Sequence, residues 1–283
     1  YTKYDSLMNK YPSYVTKETL GFDVSDNYSI RAYHFIPPYV PILHGDTAQV
    51  LDDKPHYKKI ILTSGTHGNG ERGDNTESII ALYEFAKALC EKNSDNKYLY
   101  DITDNYHIII VPLVNPWGVV NKSRYNARGV DINRNFTNGW SSEEEHCGEH
   151  ALSENESKCI DALLSSNKDA IFCFDIHTRG GNTFQQTYPQ IMGICTDGDD
   201  IEHLFQASIG KVKSKFDGFS GDLYRHGVFG CIRSQCRYYN IHSATIECTF
   251  MAENNGQKHT ALSNKVNIEM LINSIIECIK KYS

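Results

Sequence analysis

Short apolar runs alternate with longer amphipathic segments along most of this chain. The apolar runs, whose length and composition are typical of buried strands, are Lys59–Ser64, Ile108–Val114, Ala170–Ile176 and Ala244–Phe250. Segments in which apolar residues recur at helical spacing are Thr76–Lys92, Ile201–Phe216 and Leu262–Lys281. Nearer the N-terminus, Leu20–Val24 and Tyr28–Phe35 flank a Ser-Asp-Asn turn and predict an edge hairpin within Thr19–Pro37.

This alternation predicts an α/β fold. We expect a single domain over residues 1–283, with a mixed, mostly parallel, twisted sheet covered by helices on both faces. A further helix, running towards Leu164, is predicted to begin at Ser153-Glu-Asn-Glu156, which has the spacing of a capping box.

Polar side chains follow several of the predicted strands. His67 comes just after the first apolar run, a polar loop follows the second, His177 ends the third, and Glu247 lies within the last. Ligands of such sheets bind beyond the carboxyl ends of the strands. These residues are therefore expected to lie close together.

Composition narrows the possible partners and compartments. The net charge of -7 argues against nucleic acid, because phosphate binding needs a basic face. The sequence contains no apolar run of about 18 residues, so no membrane span is expected. The chain begins at Tyr1 without a signal peptide, so we expect a trimmed N-terminus, and the compartment stays open.

The cysteines suggest no chemistry of their own. There are nine, with no Cys-x-x-Cys pair, and the chain is longer than those that need a disulfide framework. Cys173, Cys248 and Cys278 lie in apolar runs, where a thiol usually packs as a small hydrophobic side chain.

The most distinctive segment follows the second apolar run and reads Arg124-Tyr-Asn-Ala-Arg-Gly-Val-Asp-Ile-Asn-Arg-Asn-Phe136. It resembles the signature of the zinc carboxypeptidases, Arg-x-Asn-x-x-Gly-Val-Asp-Leu-Asn-Arg-Asn-Phe. Leu113-Val-Asn-Pro-Trp-Gly118 likewise matches the family's Asn-Pro-x-Gly turn. Within the family, the Arg-x-Asn-x-x-Gly spacing is most similar to that of bacterial enzymes that trim cell-wall peptides.

The resemblance implies a site with one zinc ion. Catalytic zinc is typically held by three ligands of the His/His/Glu type, with a fourth position left for water. The family's His-x-x-Glu pair follows an early strand, where this chain has His67, and its third ligand matches His177. The family's catalytic Glu matches Glu247, in an apolar strand where burial is expected to raise the pKa of a carboxyl group towards useful general-base values.

The second ligand departs from the family pattern. Position 70 is Gly, and Glu71 stands one residue later, in a segment longer than usual. We expect Glu71 to complete the site, with Asp74, Glu77 or a two-histidine site as alternatives. Asp74 and Glu77 also have the spacing of a capping box for the helix that follows.

Within the signature segment, the resemblance assigns four roles. Asp131 is expected to accept a hydrogen bond from the first ligand histidine, which fixes the ring and raises its basicity. Arg124 is expected to stabilise the oxyanion of the tetrahedral intermediate. Asn133 and Arg134 are expected to bind a terminal carboxylate, which the planar guanidinium can grip in two parallel hydrogen bonds.

The sequence thus favours a zinc-dependent metallocarboxypeptidase that acts at or near the C-terminus of a peptide from a protein or a cell wall. A zinc amidase or deacylase of small N-acyl amino acids would use the same ligands. A non-catalytic peptide-binding module is also compatible with the shifted Glu71. The enzymatic interpretations all expect a peptide or small amide substrate with a free carboxylate.

Overall fold

The computed structural model of the chain describes residues 1–38, 56–68, 76–92, 98–178, 190–193, 201–216, 221, 223–225, 227, 230–248 and 260–282. Its strands are β1 Val15–Phe22, β2 Ser29–Phe35, β3 Lys58–Ser64, β4 Tyr106–Val111, β5 Ala170–Thr178, β6 Gln190–Gly193, β7 Leu223–Arg225 and β8 His242–Cys248. Its helices are α1 Thr2–Lys10, α2 Thr76–Glu91, α3 Tyr98–Asn105, α4 Pro116–Asn121, α5 Asn155–Ser166, α6 Glu202–Lys215, α7 Ile232–Tyr238 and α8 Thr260–Tyr282, with a 3₁₀ turn at Ile132–Arg134.

The strands form one mixed sheet in the order β1-β2-β4-β3-β5-β8-β6-β7. Its centre is parallel, since β3 pairs in parallel with both β4 and β5, and β5 pairs in parallel with β8. The predicted hairpin is confirmed as the antiparallel pair β1–β2 at one edge. The sheet therefore aims the C-terminal ends of β3, β4, β5 and β8 in one direction.

Each face of the sheet packs against its own set of helices. On one face, Phe172, Phe174 and Ile176 of β5 join apolar residues of α1, α2, α3, α6 and α8 in a single core. On the other face, Cys173 joins Ile132 and apolar residues of α5 and α7 in a second core. Successive strand residues point to opposite faces, and burial of both faces explains the continuous apolar runs. The expected α/β class is confirmed.

Two local predictions were wrong. Strand β4 ends at Val111 and not at Val114, because Pro112 has no N–H to continue the ladder. Ser153 does not cap α5, whose N-cap residue is Glu154 and makes no side-chain cap hydrogen bond. The hydroxyl of Ser153 instead donates to the Glu154 carboxylate at 2.7 Å.

The cysteines that the structure describes are all free thiols. Cys173, Cys248 and Cys278 are buried within the two cores, in agreement with their predicted packing role. None of the helices in the described ranges is long and apolar enough to cross a membrane.

Candidate active site

The two candidate histidines lie together at the C-terminal edge of the central parallel strands. His67 follows β3 by three residues, and His177 is the penultimate residue of β5. Their ring centroids are 5.0 Å apart in an edge-to-face arrangement, and both side chains are buried. Glu247 of β8 pairs in register with His177, so its side chain leaves the same face of the sheet. The structure thus brings these three predicted residues together.

His67 is held by a carboxylate from the signature segment. Its Nε2 atom lies 2.9 Å from Oδ1 of Asp131, which is itself buried. The other carboxylate oxygen accepts from Nε and Nη2 of Arg124 at 3.0 and 2.7 Å. Burial lowers the pKa of His67 more than the charge of Asp131 raises it, so a neutral ring is favoured. Burial opposes ionisation of Asp131, but its hydrogen bond with His67 and the charge of Arg124 hold its pKa well below the usual range.

This arrangement orients Arg124 as well as His67. Nε and Nη2 of Arg124 are bound to Asp131, and the remaining nitrogen, Nη1, lies 3.5 Å from Nδ1 of His67. A single buried carboxylate therefore fixes both a candidate metal ligand and a candidate oxyanion donor.

His177 has a carboxylate partner that the sequence analysis missed. Its Nε2 atom lies 2.6 Å from Oδ2 of Asp175 on the same strand. Oδ1 of Asp175 accepts from the hydroxyls of Thr63 and Thr66 at 2.8 and 3.2 Å. Burial lowers the pKa of His177, but the charges of Asp175 and Glu247 outweigh this effect and leave it raised. The spacing Asp-x-His was the available signal, because residues two apart on a strand share a face.

The predicted substrate-binding pair occupies two different environments. Asn133 is buried, and its Oδ1 accepts from the backbone N–H of Ile232 at 3.0 Å. This bond orients the amide, whose Nδ2 lies 3.3 Å from Nε2 of His177. The side chain of Arg134 is 27% exposed, and its Nε atom lies 3.7 Å from the carboxylate of Glu144. Arg134 is therefore the member of the pair nearer to solvent.

Glycines allow the loops of the site to pack against one another. A Cβ atom on Gly68, the residue after His67, would lie 1.9 Å from the carbonyl oxygen of Gly118. Gly118 belongs to α4, where its N–H donates to the capping side chain of Asn115 at 2.9 Å. A Cβ atom on Gly230 would lie 2.7 Å from the carbonyl oxygen of Arg134. Gly68 thus lets the residues after β3 approach α4, and Gly230 lets the residues before α7 approach the signature segment.

Two of the candidates for the carboxylate ligand, Glu71 and Asp74, lie outside the described residues. Glu77 is described and buried in the first turn of α2, whose Ser78 N–H donates to the Thr178 hydroxyl at 2.9 Å. Thr178 follows His177 and so points to the opposite face of β5. Within the described ranges, no group of three or more His, Cys, Asp and Glu side chains could hold a metal ion.

Two buried glutamates, Glu154 and Glu156, contact Asn126 of the signature segment. Nδ2 of Asn126 donates to Glu154 at 2.8 Å, and its Oδ1 accepts from the N–H groups of Arg128 and Val130. Glu156 lies beside this contact, with its Oε2 3.4 Å from Nδ2 of Asn126. Burial, together with the neighbouring charge of Glu154, raises the pKa of Glu156 to about 7.

We expect Glu156 to make stability depend on pH. Its pKa is about 4.5 in the unfolded chain and about 7 in the folded one, so the folded state binds more protons between these values. The free energy of unfolding should therefore fall as pH rises from 4.5 to 7, by up to about 3 kcal/mol at about 1.4 kcal/mol per unit. Urea unfolding at several pH values should show a flatter dependence for Glu156→Gln. An unchanged slope in that variant would assign the pH dependence to other groups.

Comparison with known proteins agrees with this geometry. A sequence profile described as zinc carboxypeptidase matches residues 1–193. Human carboxypeptidase D is 35% identical over 162 residues, which cover 53% of this chain and 10% of that protein. Human carboxypeptidase O is 24% identical over 165 residues, which cover 50% of this chain and 43% of that protein.

The fold has solved counterparts. The crystal structure of thrombin activatable fibrinolysis inhibitor superimposes with a TM-score of 0.72 at 14% identity, over 99% of this chain and 72% of that one. An α/β sheet with two histidines at the C-terminal edge of its central strands indicates a candidate metal-binding protein. More particularly, the chain belongs to the zinc carboxypeptidase family. It spans less than half the length of either human relative.

Proposed function

We propose that this chain is a zinc-dependent metallocarboxypeptidase that hydrolyses an amide bond at or near the C-terminus of a peptide. The main support is the pair of buried histidines with centroids 5.0 Å apart, beside the signature segment and Glu247. Membership of the zinc carboxypeptidase family adds independent support.

We propose His67, Glu71 and His177 as ligands of one Zn²⁺. The donor chemistry fits, because Nε2 of each histidine lies against a carboxylate, and Nδ1 is the nitrogen that would bind the metal. When bound, the ion would polarise the scissile carbonyl and lower the pKa of water. Glu77 is the described alternative to Glu71. The residue after it, Ser78, donates its N–H to Thr178, which points to the opposite face of β5 from His177.

Glu247 would act as the general base, since its side chain lies next to His177 on a rigid strand. It would take a proton from the attacking water and return it to the leaving amine. Arg124 would donate to the developing oxyanion, with Nη1 as the nitrogen left over by its contacts with Asp131.

Arg134 and Asn133 would recognise the terminal carboxylate of the substrate. The partial exposure of Arg134 and its contact with Glu144 support this role, because the guanidinium already attracts a carboxylate from the solvent side. Asn133 would contribute by its fixed orientation between Ile232 and His177.

Elemental analysis and a substrate panel test this proposal together. The purified chain should contain zinc and release the terminal residue from peptides or cell-wall fragments with a free C-terminus. Peptides amidated at the C-terminus should be poor substrates. Equal turnover of free and amidated peptides would exclude the carboxypeptidase function, and turnover of N-acyl amino acids alone would favour the amidase or deacylase function.

Arg134→Ala is expected mainly to raise KM, because a carboxylate clamp acts in both the ground state and the transition state. Loss of a charged hydrogen bond of about 1.5–3 kcal/mol corresponds to a rise of roughly 10- to 100-fold. Steady-state kinetics on free-acid and amidated peptides would measure this. The variant should lose most of the preference for the free acid.

Arg128→Ala is the matched control, since this arginine lies in the same segment but pairs with Glu149 and Glu154. It should retain the preference for the free acid. If Arg134→Ala retains it too, another residue binds the carboxylate.

A further inference from the structure

His177 is bound by a carboxylate from its own strand. Asp175 and His177 are two residues apart on β5, so both side chains leave the same face, and Oδ2 lies 2.6 Å from Nε2. Asp175 is only 1% exposed. A buried carboxylate carries a large desolvation cost unless it is paired and hydrogen-bonded, so its position here requires compensating partners.

Those partners come from the neighbouring strand and the loop that carries His67. Thr63 pairs in register with Asp175 across the β3–β5 ladder, and its hydroxyl donates to Oδ1 at 2.8 Å. Thr66, the residue before His67, donates to the same oxygen at 3.2 Å. Both hydroxyls are buried. Oδ1 is thereby occupied, and Oδ2 is left for the histidine.

The two candidate ligand histidines are therefore held in different ways. The partner of His67, Asp131, is bound on its far side by the cationic Arg124. The partner of His177 is bound on its far side by two neutral hydroxyls. A hydroxyl fixes the carboxylate without adding a positive charge, so more of the negative charge of Asp175 acts on the imidazole ring.

We propose that Asp175 is a positioning residue for metal binding, which holds the Nε2–H of His177 and so presents Nδ1 to the metal, with Thr63 and Thr66 fixing the carboxylate. This inference rests on the proposed metal site. Carboxylate partners of this kind orient a ligand histidine and raise its basicity, and their loss typically lowers metal affinity about 10- to 100-fold.

Zinc affinity measured by competition with a chromogenic chelator tests this role. Asp175→Asn keeps the side-chain shape and removes the charge, and it should weaken zinc binding by about 10- to 100-fold. The Co²⁺-loaded variant should also have altered visible absorption bands, because the ligand field changes. Asp169→Asn is the matched control, since Asp169 precedes the same strand at its other end and pairs with Lys59. It should bind zinc like the native chain.

Substitutions of Thr63 separate positioning from packing and serve if Asp175→Asn does not fold. Thr63→Val keeps the shape without the hydroxyl, whereas Thr63→Ser keeps the hydroxyl. Zinc affinity should fall in the Val variant and be restored in the Ser variant, with metal-free melting temperatures measured for both. Native zinc affinity in folded Asp175→Asn, or in folded Thr63→Val, would overturn the inference. Absence of zinc binding by the native chain would instead overturn the proposed function.

Discussion

Glu247→Gln is expected to lower kcat by about 10²- to 10⁴-fold, the usual contribution of a general base. Glutamine has nearly the same shape as glutamate but cannot accept the proton of the attacking water. Its position in β8, in register with His177, is set by the strand backbone and should not change. Zinc content and the melting temperature are therefore expected to stay close to those of the native protein.

Stopped-assay kinetics on a free-acid peptide would measure this effect, with zinc content determined on the same sample. Glu84→Gln on α2 is a suitable control, because this glutamate lies 4.0 Å from Lys87 on the same helix and has no proposed role. It should keep native activity. If Glu247→Gln retains most of its turnover with zinc bound, another group must act as the base.

The strands of the core were the most predictable part of the fold. Apolar runs such as Ala170–Ile176 fall inside observed strands because burial on both faces leaves no polar positions in them. Helix α1 was missed, since Tyr4 and Leu7 are its only buried residues and give too weak a periodicity. Helix α4 has only six residues and depends on a cap by Asn115, which periodicity does not detect.

The candidate site was predictable where a motif spans consecutive residues. The signature segment predicted a contact between Asp131 and His67, and Oδ1 of Asp131 lies 2.9 Å from Nε2 of His67. The threonine contacts of Asp175 were not predictable, because they depend on the pairing register of β3 and β5, which are separated by more than 100 residues. The carboxylate ligand stays a prediction, since Glu71 falls outside the described residues.

Asp131 also links two steps of the proposed reaction. Its two oxygens bind His67 and Arg124 separately, so metal binding and oxyanion stabilisation share one buried anchor. Substitution of Asp131 should thus affect both metal affinity and kcat. Asp175 contacts the candidate metal ligand His177, so its substitution should affect mainly metal affinity. The difference follows from the oxygen of each carboxylate that does not contact a histidine. In Asp131 this oxygen accepts from the cationic Arg124, and in Asp175 it accepts from threonine hydroxyls.

Removal of either histidine is expected to have the largest effect of all. His67→Ala and His177→Ala should each lose zinc on dialysis and fall to the activity of the metal-free protein, because a catalytic site of three protein ligands would keep only two. His150→Ala is the control, since His150 is exposed and its Nδ1 lies 2.8 Å from the carbonyl oxygen of the next residue, Ala151. Retention of a full complement of zinc by both site variants would place the metal elsewhere.

The same measurement identifies the carboxylate ligand. If Glu71 binds the metal, Glu71→Gln should lose zinc, while Glu77→Gln should keep it. The reverse outcome would assign the role to Glu77, which is buried at the start of α2 near the end of β5. A site completed by Asp74, or a two-histidine site, would leave zinc binding unchanged in both variants. These glutamates lie six positions apart in the sequence, so the two variants distinguish the segment after His67 from the first turn of α2 as the source of the ligand.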